Sequence, residues 1–286
     1  MSKLEQVVES VSSVLGTEYS VQNIKVSKNN AVKTEGILIQ NNRQKIGVTI
    51  YVPEDSFENA TISEIADFVC HEYQIALTSK NPINRIEDFE DSQFVLSNVV
   101  YQLINEQKNA NFLDSVPHKE FLDLALIYRV VLSAGDEGIS SYVVSNDFLS
   151  KIEISIEELD KAAKENTIKR FAVSCLTLEE VVGVPFKGEK AIPQIYVLTN
   201  SIVTNGAVLM TYHSVLSDLA EKLDGNLIIL PSSIHEVLVM AEDVDLSITD
   251  LRSMVESVNQ KEVLAEEFLS NSVYRFVRDT GVIELV

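Results

Sequence analysis

The chain has 286 residues and a formal net charge of −20 at pH 7, with 45% hydrophobic residues. This length is enough to bury a large core in one or two domains, and no apolar run approaches the roughly 20 residues that a membrane helix needs. The charge is spread evenly, without a basic patch, which argues against direct nucleic-acid binding and against an anionic membrane surface. Because the N-terminus also lacks a signal pattern, we expect a cytoplasmic protein.

The N-terminal part predicts a helix, an antiparallel meander and a second helix. Residues 2–15 place apolar side chains at helical spacing, and Gly16 ends the pattern. Three short β-rich segments follow. They are separated by Asn29-Asn30 and Asn41-Asn42, which suit tight turns because Asn tolerates positive φ. A helix capped by Thr61 or Ser63 completes this unit.

An acidic connector at residues 81–91 follows, and residues 94–105 are compatible with either strand or helix. Residues 109–115 are polar and predict a hinge. We therefore expect an N-terminal α+β region at residues 1–112 and a C-terminal α+β domain at residues 113–286.

The C-terminal domain predicts both strands and helices. The apolar run at residues 121–132 indicates a buried strand, and Ser155 with a carboxylate three residues later predicts a helix start. Residues 168–190 remain ambiguous, with a glycine- and proline-containing loop. The further predicted elements are strands at 194–200 and 206–212, helices at 214–223 and 247–259, and a hairpin of 273–277 with 282–286. The predicted fold class is α+β: an N-terminal helix–antiparallel meander–helix unit followed by a larger mixed sheet with helices on one face.

Residues 226–243 form the densest apolar segment of the chain. Its two apolar runs, at 227–230 and 237–240, have the length of buried strands. Pro231 cannot donate to a sheet ladder, so the first strand should end there. Ser232 or Ser233 is then predicted to cap a single helical turn before the second strand.

Four motifs carry a resemblance to a known family. They are LPSSIHEV at residues 230–237, PHKEFLDL at 117–124 with Tyr128-Arg129 following, MVESVN at 254–259 and LSNSVY at 269–274. Together they resemble the signature of a domain-of-unknown-function family of uncharacterised proteins from gut-associated Gram-positive bacteria. The resemblance covers most of the chain and implies a loose association with phage-like or conjugative elements. The family supplies no activity, cofactor or catalytic residue.

Two charged side chains interrupt the apolar run at 121–132. A lone buried charge is costly, so Asp123 and Arg129 are predicted either to pair with each other or to contact a ligand in a cleft. The same motifs contribute further polar candidates. The candidate binding residues are Pro117, His118, Asp123, Tyr128, Arg129, Ser232, Ser233, His235 and Glu236.

Known catalytic and nucleotide-binding motifs do not occur in the sequence. Ser232 or Ser233 could serve as a nucleophile with His235 as base, although no third, orienting group is identified. A metal site would need long-range folding to join its ligands. Its candidate ligands are His118, Glu120, Asp123, His213, His235 and Glu236. Cys70 and Cys175 are expected to be buried free thiols.

We predict no catalytic residue, metal or cofactor, and the missing motifs lean against an enzyme while leaving the question open. The leading hypothesis is a non-enzymatic acidic binding protein that acts through contacts with an unidentified protein partner. One alternative is an anti-defence inhibitor or nucleic-acid mimic from a mobile element. Another is a hydrolase or metalloenzyme that uses His118, His235 and Glu236. The sequence leaves the oligomeric state undetermined.

Overall fold

The computed structural model describes residues 2–43, 47–53, 59–78, 91–135, 138–183, 194–242 and 247–286. The chain divides into two compact units, Met1–Ile86 and Glu87–Val286. Each unit has an apolar core of its own.

The first unit confirms the predicted helix–meander–helix order. Its elements are α1 (Lys3–Leu15), β1 (Tyr19–Ser27), β2 (Lys33–Asn41), β3 (Val48–Ile50) and α2 (Ile62–Thr78), with a 3-10 turn at Asn29–Ala31. The strands form an antiparallel sheet in the order β1-β2-β3. Its core consists of Leu4, Val7, Val11, Ile37, Ile39, Ile50, Ile65, Ala66, Val69 and Tyr73.

Local signals set the ends of these elements. Ser2 and Glu5 form a capping box at the start of α1, and Gly16 ends that helix with a φ of 82°. Thr61 caps the start of α2 in the same way. Asn30 adopts a φ of 59°, which the predicted turn requires.

The second unit begins with a helix that continues directly into a strand, which resolves the ambiguity at residues 94–105. Its first elements are α3 (Ser92–Asn98), β4 (Val99–Asn105), a 3-10 turn (Gln107–Asn109), α4 (Ala110–Leu113), β5 (His118–Phe121), β6 (Leu124–Gly135), β7 (Gly138–Val143), α5 (Asn146–Lys151) and α6 (Ile156–Arg170). The predicted capping box at Ser155 is present at the start of α6. The predicted acidic connector lies outside the described residues except for Asp91, which caps α3.

The remaining elements alternate between strand and helix. They are β8 (Val173–Thr177), α7 (Leu178–Val182), β9 (Tyr196–Asn200), a 3-10 helix (Gly206–Thr211), α8 (His213–Lys222), β10 (Leu227–Pro231), β11 (Val237–Ala241), α9 (Ile248–Lys261), β12 (Tyr274–Val277) and β13 (Val282–Leu285). Strand β10 ends at Pro231 as predicted, and β11 returns antiparallel to it. The predicted helices at 214–223 and 247–259 and the closing hairpin are also present.

The described strands of the second unit form two antiparallel sheets, where one larger mixed sheet is predicted. One sheet has the order β13-β12-β10-β11-β9-β8. In the other sheet β4 pairs with one edge of β6, while β5 and β7 pair with successive parts of its opposite edge. The α+β class itself is confirmed.

One large apolar cluster contains side chains from both sheets, from α6 and α8, and from the 3-10 helix. Strand β10 is buried on both faces: Leu227 and Ile229 belong to this cluster, whereas Ile228 and Leu230 pack against α9. Burial on both faces explains why this segment is the densest apolar run of the sequence.

Residues 206–211 form a 3-10 helix, so the predicted strand there is wrong. Gly206–Met210 are all buried, and a short apolar run of this kind has no periodicity that distinguishes strand from helix. The ambiguous segment at 168–190 contains the end of α6, then β8 and α7, and residues 184–193 lie outside the described part of the chain.

The predicted boundary after residue 112 differs from the division into compact units. Strand β4 lies before that boundary and pairs along its whole length with β6, which lies after it. The two-domain organisation at 1–112 and 113–286 therefore stays a prediction, and the compact units divide between Ile86 and Glu87.

No helix in the described ranges is long and apolar enough to cross a membrane. Cys70 and Cys175 are free thiols and partly buried. Burial raises the pKa of both.

Candidate functional site

The turn between β5 and β6 carries Asp123 to the centre of a hydroxyl cluster. The carboxylate accepts hydrogen bonds from the Ser270 hydroxyl at 2.6 Å, the Ser272 hydroxyl at 2.9 Å and the Tyr274 hydroxyl at 2.7 Å. Leu122 makes this turn possible by adopting a φ of 59°. The three donors satisfy the charge, so Asp123 connects the turn to the segment before β12.

Amide side chains extend this cluster to two further elements. Asn259 on α9 donates to the carbonyl of Ser270 at 2.9 Å and to Asn271 Oδ1 at 2.8 Å. Asn105 on β4 donates to the carbonyl of Leu269 at 2.9 Å. The motifs at 117–124, 254–259 and 269–274 therefore meet in one partly buried polar cluster, which we call the Asp123 cluster.

His235 is held by contacts that use both ring nitrogens. Its Nδ1 accepts a hydrogen bond from the backbone N–H of Asn205 at 3.2 Å, and its Nε2 lies 3.4 Å from Glu267 Oε1. Because Nδ1 is an acceptor, the proton of the neutral ring belongs on Nε2. The backbone carbonyl of His235 also accepts from the Thr199 hydroxyl at 2.8 Å. These contacts make His235 a link between β9, the segment before the 3-10 helix and residue 267.

The serines of the same motif shape its backbone. Ser233 Oγ accepts from the backbone N–H of His235 at 3.0 Å, and the Ser232 hydroxyl donates to Glu236 Oε1 at 3.4 Å. Residues 232–236 contain no helical turn and bend at Ile234 and His235, so the predicted single helical turn is wrong. Neither serine hydroxyl hydrogen-bonds to the imidazole ring, and this geometry gives no support to Ser–His catalysis.

Arg129 lies on β6 and donates to neutral oxygens. Its Nε donates to Ser141 Oγ at 3.0 Å, its Nη2 to the Ser141 carbonyl at 3.3 Å, and its Nη1 to Gln102 Oε1 at 3.2 Å. Gln102 in turn donates to Asn205 Oδ1 at 3.1 Å. Since Asn205 also bonds to His235, a continuous polar chain joins two predicted candidates, Arg129 and His235. We call it the Arg129 network.

The predicted ion pair between Asp123 and Arg129 is wrong. Asp123 is satisfied by hydroxyl groups and Arg129 by an amide, a hydroxyl and a carbonyl. The two side chains lie at different positions along one hairpin, and each meets polar groups from other elements. Burial lowers the pKa of Arg129, but an arginine starting above about 12 remains charged at neutral pH.

A small cavity lies beside the Arg129 guanidinium. It has a volume of about 10 Å³, which corresponds to roughly one water molecule. The cavity is lined by Val100, Tyr101, Arg129, Ile139, Ser141, Thr167, Phe171, Asn200, Thr204, Asn205 and Val208. A larger, open depression of about 580 Å³ lies nearby, and Phe171 borders both.

Residues 201–205, which we call the 201–205 loop, border both the cavity and the depression. Asn200 is buried and braces this loop, since its Nδ2 donates to the Thr204 carbonyl at 2.8 Å and its Oδ1 accepts from the backbone N–H groups of Ile202 and Thr204. Val203 and Asn205 have φ values of 49° and 55°. The loop therefore has a fixed shape that includes a β-branched residue in the left-handed region.

A second carboxylate is held by tyrosines. Asp160 Oδ1 accepts from the hydroxyls of Tyr101 at 2.6 Å and Tyr128 at 2.9 Å, and Lys119 lies 3.4 Å from its Oδ2. Burial acts to raise the pKa of Asp160, but these hydrogen bonds and the nearby ammonium hold it below its usual value. Tyr128, on β6, therefore stabilises the packing of α6 on the sheet that contains β4 and β6.

The other predicted candidates are separate from these clusters. Pro117 is buried just before β5, and His118 Nδ1 contacts the carbonyl of Val116 at 3.1 Å. His213 Nδ1 contacts Ser217 Oγ at 3.2 Å. His118 and His235 share no partner, and the described residues contain no group of three or more His, Cys, Asp or Glu side chains that could hold a metal.

Sequence reasoning missed Gln102, Asn200, Asn205 and Asp160. Gln102 is the one of these with a visible signal, because it interrupts the apolar strand VVYQLIN at residues 99–105. Asn200 is the last residue of β9, Asn205 lies in a loop and Asp160 lies on a polar helix face, where asparagine and aspartate are common. Their importance comes from partners that are distant in the sequence.

The fold and these clusters define an antiparallel α+β protein whose motif residues mostly form buried polar links between elements. The chain belongs to the family of unknown function DUF5688, whose family model matches residues 3–278. No curated protein and no solved structure matches the chain. The match confirms the resemblance to a family of unknown function, and it leaves the motifs and the bacterial origin untested.

Proposed function

We propose that this protein is a non-enzymatic binding protein that recognises a protein partner through the 201–205 loop. The observation that carries the proposal is Val203, which is 59% exposed and has a φ of 49°. A valine in the left-handed region costs roughly 1–2 kcal/mol. Because an exposed position has no packing reason to retain such a residue, the strain points to a role in contact.

The loop is preorganised, which favours binding. Asn200 holds the backbone of the loop through hydrogen bonds to Thr204. Asn205 is held by hydrogen bonds to Gln102 and His235. Ile202 packs against the small apolar cluster around Phe171 and anchors the loop. A loop that is already ordered loses little conformational entropy when a partner binds.

The depression beside the loop indicates the chemistry of the partner. Its lining combines apolar surface from Phe171 and Val203 with the guanidinium of Arg170, which also donates to Asn98 Oδ1 at 2.8 Å. Such a surface suits an apolar side chain next to a carboxylate. We therefore propose a partner segment that carries one apolar and one acidic residue.

The position of several acids argues against nucleic-acid mimicry. Several carboxylates cap helix starts, where they bond to the backbone N–H of the capping residue. They include Glu5, Glu64, Glu158 and Glu180. These acids have a local structural role. The free thiols at Cys70 and Cys175 likewise support placing the protein in the reducing cytoplasm.

The proposal is tested by affinity capture from the native cell with the wild type and two variants, followed by mass spectrometry. Val203→Asn removes the apolar tip and is tolerated in the left-handed region. Leu264→Asn is the matched control, because Leu264 is 61% exposed and has no positive φ. We expect a protein that is captured by the wild type and by Leu264→Asn and is lost from Val203→Asn.

Direct binding of that protein is then measured by calorimetry with purified components. Arg170→Glu should weaken binding at least tenfold if a partner carboxylate contacts Arg170. Equal capture by the wild type and Val203→Asn would show that the 201–205 loop is not the contact surface.

A further inference from the structure

Strand β8 is an edge strand of the larger antiparallel sheet in the second unit. Among the described strands it pairs with β9 on one side and has no neighbour on the other. Its sequence, Val-Ser-Cys-Leu-Thr, contains neither a charged residue nor a proline, although proteins commonly use these residues to keep an exposed edge from pairing with another chain. By contrast, β13 at the opposite edge of this sheet carries Glu284. Strand β8 is therefore open to a further strand.

The register of β8 determines which backbone groups face this open edge. In an antiparallel pair, residues that hydrogen-bond to the neighbouring strand alternate with residues whose N–H and C=O point away from it. Just before β8, the Ala172 carbonyl accepts from the Ser201 N–H at 2.8 Å. Just after it, the Leu178 N–H donates to the Ile195 carbonyl at 2.8 Å. Because both bonds lie at even-numbered positions, the odd-numbered residues of β8 point their backbone groups outward.

Two of these outward-facing residues have both backbone groups available. The third, Thr177, donates its N–H to Glu180 in the capping box of α7 at 2.7 Å. For Val173 and Cys175, the described residues provide no partner for the outward N–H or C=O. The open edge of β8 therefore presents two donors and two acceptors.

We propose that β8 pairs with β8 of a second copy of this chain, in antiparallel orientation, and that the protein is a homodimer. Pairing centred on Ser174 places Val173 opposite Cys175 of the second copy, and the two-fold symmetry repeats this pair. Both are hydrogen-bonded pairs of the ladder, so each outward N–H meets an outward C=O, with two hydrogen bonds in each pair. The inference is independent of the proposed function, because it requires no other protein.

The charges that flank β8 suit a second copy. Lys169 and Arg170 end α6 just before the strand, and both are exposed. Glu179 and Glu180 lie in α7 just after the strand, and both are exposed as well. Antiparallel pairing brings the basic end of each strand towards the acidic end of the other, whereas parallel pairing would bring like charges together. This local attraction counteracts the repulsion between two chains with a net charge of −20 each.

Exposed apolar side chains accompany the open edge. Val173 and Leu176 in β8 are 42% and 46% exposed, and Val181 and Val182 in α7 are 52% and 54% exposed. Single exposed apolar residues are ordinary, but a group of them beside an unpaired strand is typical of a protein interface. A second copy that pairs with β8 would cover part of this apolar surface.

The first test measures the mass of the purified full-length protein by sedimentation equilibrium. We expect a dimer of twice the chain mass of 31.8 kDa. Val173→Pro removes an outward N–H from each copy, and thus half of the hydrogen bonds across the interface, while the pairing with β9 is kept. This variant should raise the dissociation constant of the dimer roughly tenfold or more. A monomeric wild type would overturn the proposal.

The matched control is Leu285→Pro, at an outward-facing position of β13. It should leave the dissociation constant unchanged, and circular dichroism checks that both proline variants are folded. A folded Val173→Pro variant that dimerises as strongly as the wild type would show that the interface lies elsewhere.

Ser174→Cys tests the register without weakening the strand. Ser174 would face its own copy across the two-fold axis in a non-hydrogen-bonded pair, where the Cα atoms are about 4.5 Å apart, a distance that a disulfide can bridge. We expect mild oxidation to produce a disulfide-linked dimer on a non-reducing gel. The controls are the wild type, whose Cys175 would face Val173, and Ser253→Cys at an exposed position of α9. Crosslinking of Ser174→Cys no faster than in these controls would contradict the proposed pairing.

Discussion

Asp123 and Arg129 lie on the same hairpin, but they differ in how far hydrogen bonds satisfy their charges. Asp123 receives three hydroxyl hydrogen bonds from one segment of the chain. Arg129 gives its hydrogen bonds to neutral groups and keeps two donors that have no described acceptor. The two residues look alike in the sequence, where each is a lone charge in an apolar run.

This difference makes Asp123 a structural residue and Arg129 part of a candidate site. The partners of Asp123 match its bonding capacity, so the Asp123 cluster has little capacity left for a ligand. The Arg129 network has a positive charge, unused donors and a cavity in one place. A charge that keeps unused donors beside a cavity is therefore the better candidate for a binding site.

The largest effect on stability is expected at Asp123, whose charge is satisfied by hydrogen bonds. Asp123→Ala removes the acceptor of the hydroxyls of Ser270, Ser272 and Tyr274 and should lower the free energy of unfolding by about 3–5 kcal/mol. Urea denaturation followed by circular dichroism measures this change. The control is Asp114→Ala at an exposed position, for which we expect less than about 0.5 kcal/mol. A similarly small effect for both variants would mean that Asp123 does not hold the two segments together.

The next effect concerns the close packing under the 201–205 loop. A Cβ at Gly206 would lie 2.3 Å from Thr199 Oγ1 and 2.6 Å from the His235 carbonyl, both of which belong to the surroundings of the Arg129 network. Gly206→Ala should therefore lower the free energy of unfolding by about 2–3 kcal/mol. Gly135→Ala, with no atom within 4 Å of the added Cβ, should leave it almost unchanged. Equal unfolding midpoints of the two variants would contradict the close approach.

A smaller effect tests whether other hydroxyl-bound carboxylates resemble Asp123. Tyr128→Phe removes one of the hydroxyls that keep the pKa of Asp160 low, so this pKa should rise toward its usual value. The loss at neutral pH should be about 1 kcal/mol.

The pH dependence follows from the direction of the shift. A carboxyl group with a depressed pKa in the folded state contributes stability above its unfolded value of about 3.9, and this contribution disappears as the pH falls through the folded pKa. The deficit of Tyr128→Phe should therefore shrink in acid. Carboxyl titration by NMR and unfolding at pH 7 and below pH 4 check both statements, with Tyr51→Phe at an exposed tyrosine as control. A deficit that is independent of pH would contradict the role of the hydroxyl.

The smallest expected effect is an increase in stability. Val203→Asn should raise the free energy of unfolding by about 0.5–1 kcal/mol, because it relieves left-handed strain at an exposed position. Leu264→Asn should change it very little. Urea denaturation of both variants checks this. A loss of stability in Val203→Asn would mean that Val203 is retained for packing rather than for contact.

Much of the fold was predictable from local patterns. Apolar spacing predicted α1 and α2, and Asn30 takes the positive φ that its turn was expected to need. Pro231 ends β10 as predicted. The 206–211 segment was not predictable, since a short apolar run is compatible with strand or helix and the close approach of Gly206 to His235 decides it.

The candidate site was predictable only in part. Sequence patterns identified Arg129, His235 and Asp123 as unusual, and the structure joins the first two through Gln102 and Asn205. The predicted pairing of Asp123 with Arg129 is wrong, because the choice of partner depends on which distant segments arrive at each end of the hairpin.

The sequence by itself determined the ends of several elements, such as the start of α1 at Ser2 and the end of β10 at Pro231, because caps, turns and apolar periodicity act over a few neighbouring residues. It also marked Asp123 and Arg129 as unusual, since these two charges interrupt an apolar run. Only the tertiary structure decided which of the two charges meets three hydroxyl donors and which keeps N–H groups without an acceptor among the described residues. That outcome depends on hydrogen-bond partners from distant segments, such as Ser270 for Asp123 and Ser141 for Arg129.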